Sequence, residues 1–223
     1  MTPASDSIVG TSVVLVGRFN PAIIHPAWFA HHEVLPPSDL AEDPDLKVVS
    51  PSLALFQIGW LTVQVTDDHF ELSTMESDRV VLMRDAAINI FALLSHTPLN
   101  AIGLNRTGHY PLGDGELERI REVVAPSAPW TLFETPSELS SLTVQGARAD
   151  FAHPGYIRLT IEPSVRIVNG IFISINDHFE LDVDELEPHE RTGKAMEILD
   201  QSWKDSIARH DSFTEFVLQK ARA

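Results

Sequence analysis

No cysteine occurs among the 223 residues, so disulfides, thiolate metal sites and cysteine nucleophiles are excluded together. Basic residues are scarce: 16 Lys and Arg stand against 32 Asp and Glu, a net charge of -16. Such a balance repels nucleic-acid phosphates and anionic lipid, so direct nucleic-acid binding and membrane association are not expected. No stretch approaches the roughly 18 uninterrupted apolar residues of a membrane span. The opening residues, "MTPASDSIVG", lack the basic segment and apolar run of a secretory signal, so a cytoplasmic location is expected. The catalytic and nucleotide-binding patterns G-x-S-x-G, G-x-x-x-x-G-K-[ST] and G-x-G-x-x-G are missing as well. "LGDG" (112–115) is too short to cradle a phosphate, and no cofactor is expected.

What is present is an ordinary globular composition, 43% hydrophobic and 22% charged, in a chain long enough for one large domain or two small ones. Its most distinctive feature is a repeat. Asp68-His69-Phe70-Glu71-Leu72 recurs as Asp177-His178-Phe179-Glu180-Leu181. "VGRFNPAIIHP" (16–26) is echoed by "GARADFAHP" (146–154), at a different offset that an insertion in the first copy explains. Helix-like stretches follow both pentapeptides, over 80–96 and about 191–209. The expected fold is α+β and internally duplicated: two related lobes, 1–112 and 113–223, each an antiparallel sheet packed by helices, the second ending in C-terminal helices.

The first pentapeptide reads as half of a hairpin. Leu61, Val63 and Val65 alternate with Thr62, Gln64 and Thr66, and Asp67-Asp68 suits a two-residue turn. Pairing Thr66 with His69 sets Phe70 against Val65 and Leu72 against Val63, all on one apolar face. Asn176-Asp177 predicts a second such turn. Ile171, Ile173 and Ile175 then share a face with His178 and Glu180, while Phe172, Phe179 and Leu181 fill the other. Both faces of that sheet would be apolar and need covering. If the C-terminal helix with Met196, Leu199 and Trp203 does not cover the isoleucines, a second subunit does, which makes them the expected interface of a twofold homodimer.

Other elements are legible from periodicity and punctuation. "VVLMRDAAINIFALLSH" (80–96) is a mostly buried helix with a wet stripe at Asp85 and Asn89. "LNAIGLNRT" (99–107) is a strand that closes the first lobe. "GDGELERIREVV" (113–124) carries a short amphipathic helix with Leu117, Ile120, Val123 and Val124 inward. Pro126 to Pro129 is the linker candidate. Strands follow at about 140–147 and 156–162. The last helix uses Ala195, Met196, Leu199, Trp203 and Ile207, and "HDSFTEF" (210–216) breaks it where Ser212 and Glu215 have capping-box spacing.

Chemistry is sparser. Residues two apart on a strand point the same way, so His69 with Glu71 and His178 with Glu180 each place an imidazole beside a carboxylate. Brought together about a pseudo-twofold axis, the four form a candidate site for zinc or another divalent ion. His31-His32-Glu33 is a second cluster, but adjacent helical residues diverge, and Trp28 and Phe29 of that short helix read as core anchors. The acidic run 180–190 fails the calcium-loop pattern: counted from Asp182, Glu187 stands where the glycine is needed and Gly193 where the bidentate Glu is needed.

"VGRFNPAIIHPAWF", "QVTDDHFEL" and "LLSHTPLNAIGLN" together resemble a sporadically distributed bacterial protein family of unknown function, mainly over the first half of the chain. The resemblance implies a bacterial origin and no activity. Expected from all of this is a non-enzymatic binding or regulatory protein acting through protein contacts, its partner basic: an accessory subunit, an antitoxin or an immunity-type inhibitor. The alternative is a metal-dependent hydrolase or small-ligand enzyme built on the paired His and Glu residues.

Overall fold

The computed structural model describes residues 7–40, 44–126, 128–129, 137–148, 153–181 and 184–222. The strands are β1 (Ile8–Gly17), β2 (Asp45–Val49), β3 (Ala54–Ile58), β4 (Leu61–Val65), β5 (His69–Thr74), β6 (Leu99–Pro111), β7 (Leu142–Ala147), β8 (Gly155–Pro163) and β9 (Gly170–Glu180). They form a single antiparallel sheet in the order β2-β3-β4-β5-β1-β6-β9-β8-β7. The helices are α1 (Pro26–His31), α2 (Pro37–Leu40), α3 (Val80–Leu93), α4 (Glu116–Val124) and α5 (Pro188–Arg222). The architecture is α+β. No helix among the described residues is long and apolar enough to cross a membrane.

The topology has a simple grammar. β1 is followed, after α1, α2 and β2, by the meander β3-β4-β5, whose last strand returns to pair with β1; α3 comes next. β6 is followed, after α4, by the meander β7-β8-β9, whose last strand returns to pair with β6; α5 comes next. β1 and β6 lie side by side at the centre. β6 pairs with β1 on one side and, across the expected division at 112/113, with β9 on the other, from Ala101↔Glu180 to Pro111↔Gly170.

The first pentapeptide folds as its alternation dictates. Val63 faces Leu72 and Val65 faces Phe70, all fully buried, and the Thr66 N–H donates to the His69 carbonyl across the turn. The second pentapeptide does not turn. β9 runs straight through Asn176-Asp177 because β6 and β8 pair with it on both sides along its length. Strict alternation then puts Ile171, Ile173, Ile175, Asp177 and Phe179 on one face, and Phe172, Ser174, Asn176, His178 and Glu180 on the other. The expectation of two apolar faces is therefore corrected to one.

That apolar face is where the core sits. Val13 and Leu15 of β1, Phe70 and Leu72 of β5, Ile102 and Leu104 of β6 and Phe179 of β9 pack with Phe29 of α1, Met83, Ala87, Ile90 and Phe91 of α3, and Leu199 and Trp203 of α5. A second cluster on the same face joins Ile171, Ile173 and Ile175 to Ile120 of α4 and to Val217, Leu218 and Ala221 of α5. α5 thus spans both clusters and crosses the sheet. The break expected at 210–216 is absent: α5 runs through these residues because His210, Thr214, Val217 and Leu218 are buried along one side of it, and the Ser212 hydroxyl donates to the Ala208 carbonyl at 2.9 Å instead of capping a new helix. Val123 is also corrected: it is exposed, while Ile120 is buried and Leu117 and Val124 pack beside it. The linker expected at 126–129 joins residues 130–136, which lie outside the described residues.

β8 enters at Gly155 with φ 146°, where an added Cβ would meet the His178 carbonyl oxygen at 2.0 Å. Gly155→Ala is therefore expected to cost about 2 kcal/mol, measured by urea unfolding, from the combined clash and backbone strain. An unchanged midpoint would show that the β8–β9 pairing yields at this point.

Candidate functional site

Because α1, α3, α4 and α5 all contribute to clusters on one side, the opposite face of the sheet is left without a helix among the described residues. Cross-strand pairing aligns its side chains in rows. One row runs Gln57, Thr62, Ser73, Ser12, Asn105, Asn176, Arg158, Gln145, taking one residue from each of β3, β4, β5, β1, β6, β9, β8 and β7. Seven of the eight are neutral hydrogen-bonding residues, in a chain of net charge -16. The Asn176 amide donates to the Asn105 side-chain oxygen, and Arg158 donates twice to the Gln145 side-chain oxygen, at 3.0 and 2.8 Å. A parallel row runs Gly10, Thr107, Ser174, Thr160, Thr143, with the two threonine hydroxyls of β7 and β8 3.1 Å apart. Aromatic groups cap the second half of this face. Tyr156 stacks on His178 with centroids 4.5 Å apart, Arg158 lies over Tyr156, and Phe172 packs on His109.

The candidate metal residues all lie on this open face, in two adjacent rows. His69 aligns with Val16, Ala101 and Glu180, and Glu71 aligns with Val14, Gly103 and His178. Within the first pair, His69 Nε2 is 3.4 Å from Glu71 Oε2. Between the pairs stand two whole strands, β1 and β6, so three interstrand steps of ~4.8 Å separate them, about 14 Å in all. The rows bring the pairs to one face without bringing them into one coordination sphere. Among the described residues no three His, Asp or Glu side chains converge on a common point. His31 and His32 meet edge to face at the surface, and His32 leans on Trp28, while Phe29 is the buried anchor. Asp182, the first residue of the tested calcium loop, lies outside the described residues.

Ile171, Ile173 and Ile175 are buried beneath α4 and α5 of their own chain. An uncovered face was the condition for a second subunit there, and it is not met. The cover comes from Val217, Leu218 and Ala221, one end of α5 beyond the Met196–Trp203 segment.

Under α5 lies a buried polar cluster that sequence reasoning missed. Asp177, 0% exposed, accepts from Arg148, from Arg209 and from the Ser206 hydroxyl. The Arg148 guanidinium also rests on the Phe179 ring, 3.8 Å from its centroid. Ser206, Arg209 and His210 share one side of α5 through helical spacing. His210 is 0% exposed, and neither ring nitrogen has a hydrogen-bond partner among the described residues. Burial pushes its pKa from 6.5 down to about 4; Asp177 opposes that shift, and Arg106 and Arg209 reinforce it. Close by, Arg106 pairs with Asp211 at 2.5 Å, and burial raises the Tyr110 hydroxyl against the opposing hydrogen bond with Thr214. Serine, histidine and aspartate are all here, but Ser206 donates directly to the carboxylate and is itself 0% exposed. The cluster fastens α5 to β9. It offers no nucleophile to solvent.

Open clefts flank the core, two of them beside β1. The larger, about 460 Å³, has Phe19, Ile24, Phe70 and Leu94 on its walls and Arg18 and His96 among its polar lining. The smaller, about 280 Å³, lies between Thr11, Thr74, Arg106 and Asp211. No protein-family model matches this chain, and no curated protein sequence does.

Proposed function

We propose that this chain is a non-enzymatic binding or regulatory protein that acts through protein contacts, with the open sheet face as its contact surface. The observation that carries the reading is the row from Gln57 to Gln145, which lines up seven hydroxyl or amide side chains and Arg158 across eight strands with no helix over them among the described residues. A buried interface needs every desolvated polar group paired, and a fixed ladder of neutral donors and acceptors selects a partner by that requirement. The acidic balance of the whole chain supplies long-range attraction to a basic partner, as an accessory subunit, an antitoxin or an immunity-type inhibitor would use. A cytoplasmic setting in a bacterium suits this reading.

The scaffold belongs to the same proposal. Each half repeats a central strand, a three-stranded meander and a helix, and the shared His-Phe-Glu falls on the equivalent strands β5 and β9, with Leu181 just past the end of β9. We read this as internal duplication, with the halves meeting between α3 and β6.

The test has two steps. Affinity capture from the native host, read by mass spectrometry, names a partner; calorimetry with both purified proteins then measures its binding. Thr107→Lys, on the open face, is expected to weaken binding at least tenfold, and Gln201→Lys, exposed on α5, to leave it unchanged. Equal binding by both variants overturns the assignment of the face. Substrate turnover by the pure chain at ordinary enzymatic rates overturns the reading altogether.

A further inference from the structure

The two ends of the sheet are built differently. β2 carries Asp45 and Lys47, 2.5 Å apart, and a register shift between Leu46 and Val48 interrupts its pairing with β3. Charge and bulges are the usual devices that stop a sheet edge from pairing with another chain. β7 has neither. Leu142-Thr143-Val144-Gln145-Gly146-Ala147 contains no ionisable residue and no proline, and its register with β8 is unbroken. Thr143 to Ala147 are exposed, Val144 by 55%. Among the described residues no strand pairs with the outer edge of β7. Alternate backbone N–H and C=O groups of this strand therefore face outward as donors and acceptors that no described strand pairs.

We infer that β7 is the pairing surface of a twofold dimer, in which the β7 strands of two copies run antiparallel and join two sheets into one. The inference rests on the reading that the chain works through protein contacts. The charge pattern selects a second copy as occupant. In a chain of net charge -16, an uncharged six-residue edge lets a like-charged copy approach without burying a carboxylate. The symmetry then restricts the register. A twofold axis normal to the sheet keeps each face on its own side, so opposed residues must come from the same face. Centring on Val144 satisfies this. Val144 meets its own copy, Leu142 meets Gly146, and Thr143 meets Gln145. β-branched pairs of this kind stabilise a ladder, whereas the same operation at β2 would set Lys47 against Lys47. A single pair of short strands falls in the small, transient class of interface, so the dissociation constant is on the order of 10 μM.

Sedimentation velocity of the full chain from about 1 to about 200 μM is expected to show its mass rising from 24.7 kDa toward twice that value. Val144→Lys, which opposes like charges at the axis, is expected to weaken association at least tenfold with an unchanged thermal melt. Val168→Lys, at the exposed β8–β9 tip, leaves association as it was. The absence of native cysteine allows a direct register test. Opposed residues of antiparallel strands have Cα atoms about 4.5–5.5 Å apart, within disulfide reach. Val144→Cys is therefore expected to cross-link to itself under mild oxidation, and Val168→Cys is not. A monomer at every concentration overturns the dimer, as does a dimer that survives Val144→Lys or cross-links only through residue 168. The proposed partner binding stands or falls separately: a monomer that still binds its partner loses only this inference, and a dimer that binds none loses only that reading.

Discussion

Asp177→Ala is expected to destabilise the chain by about 3–5 kcal/mol, while Asp68→Ala, the same residue of the same pentapeptide, costs no more than about 1 kcal/mol. Asp68 sits exposed in a turn, where its carboxylate accepts one hydrogen bond from the Thr66 hydroxyl. Asp177 is the shared anion for Arg148 and Arg209 and the acceptor for Ser206. Its removal strands Arg148, whose side chain is 7% exposed, over the Phe179 ring with no other ion-pair partner among the described residues. Arg209 is 30% exposed and can turn toward water, so the loss falls mainly on Arg148. Asp177→Asn keeps the shape and one acceptor but removes the charge, and its cost should lie between the two. Urea unfolding at neutral pH, followed by far-ultraviolet circular dichroism with a common slope, separates the variants. Equal losses at positions 68 and 177 would mean that the buried cluster contributes no more than a turn.

That contrast also marks what could be read in advance. The first hairpin was legible because everything that determines it is local: alternation over 61–65 and 69–72, and a two-residue turn whose register buries four apolar side chains. The start of α3 at Val80 and the helical spacing of Ala195, Leu199 and Trp203 were legible for the same reason, although α3 ends at Leu93 and not at the expected 96. Asn176-Asp177 misled because its local chemistry favours a turn, whereas β6 and β8 hold those residues in the middle of a strand. The strands that overrule the turn lie far away in sequence, and so do the partners that make a buried Asp tolerable. Arg148 and Arg209 stand 29 and 32 positions from Asp177. A turn at that point would move every later residue of β9 to the other face and make an apparent interface of an isoleucine stripe that belongs to the core. β1 and β3, equally strand-like in composition, escaped notice because no turn or repeat marked them. The open face could not be foreseen from either half alone, since it depends on all the major helices packing on one side.

Acid should unfold this protein through His210. The unfolded imidazole takes up a proton as the pH falls through 6.5, whereas the folded one stays neutral to about pH 4 because burial penalises its charged form. Between those values the unfolded chain binds more protons, so stability rises with pH across the window. The stabilisation is fully present above pH 6.5 and is lost as the pH falls toward 4, roughly 3 kcal/mol in total at ~1.4 kcal/mol per unit. The charged groups facing the ring are Asp177 on β9, Arg106 on β6, and Arg209 and Asp211 on α5; the two arginines lower its pKa and the two aspartates raise it. His109 and His178, on the open face, are also lowered, chiefly by burial, and add a smaller slope of the same sign. His210→Leu isolates the main contribution. Neither ring nitrogen makes a hydrogen bond among the described residues, so an apolar side chain of similar volume forfeits none there. The variant should be at least as stable as the wild type above pH 7, and its advantage should grow by roughly 3 kcal/mol as the pH falls from 6.5 to 4. Urea midpoints measured at half-unit steps from pH 7.5 to pH 4 provide the comparison. Parallel curves for the two proteins would show that a proton reaches His210 without loosening α5 from the sheet.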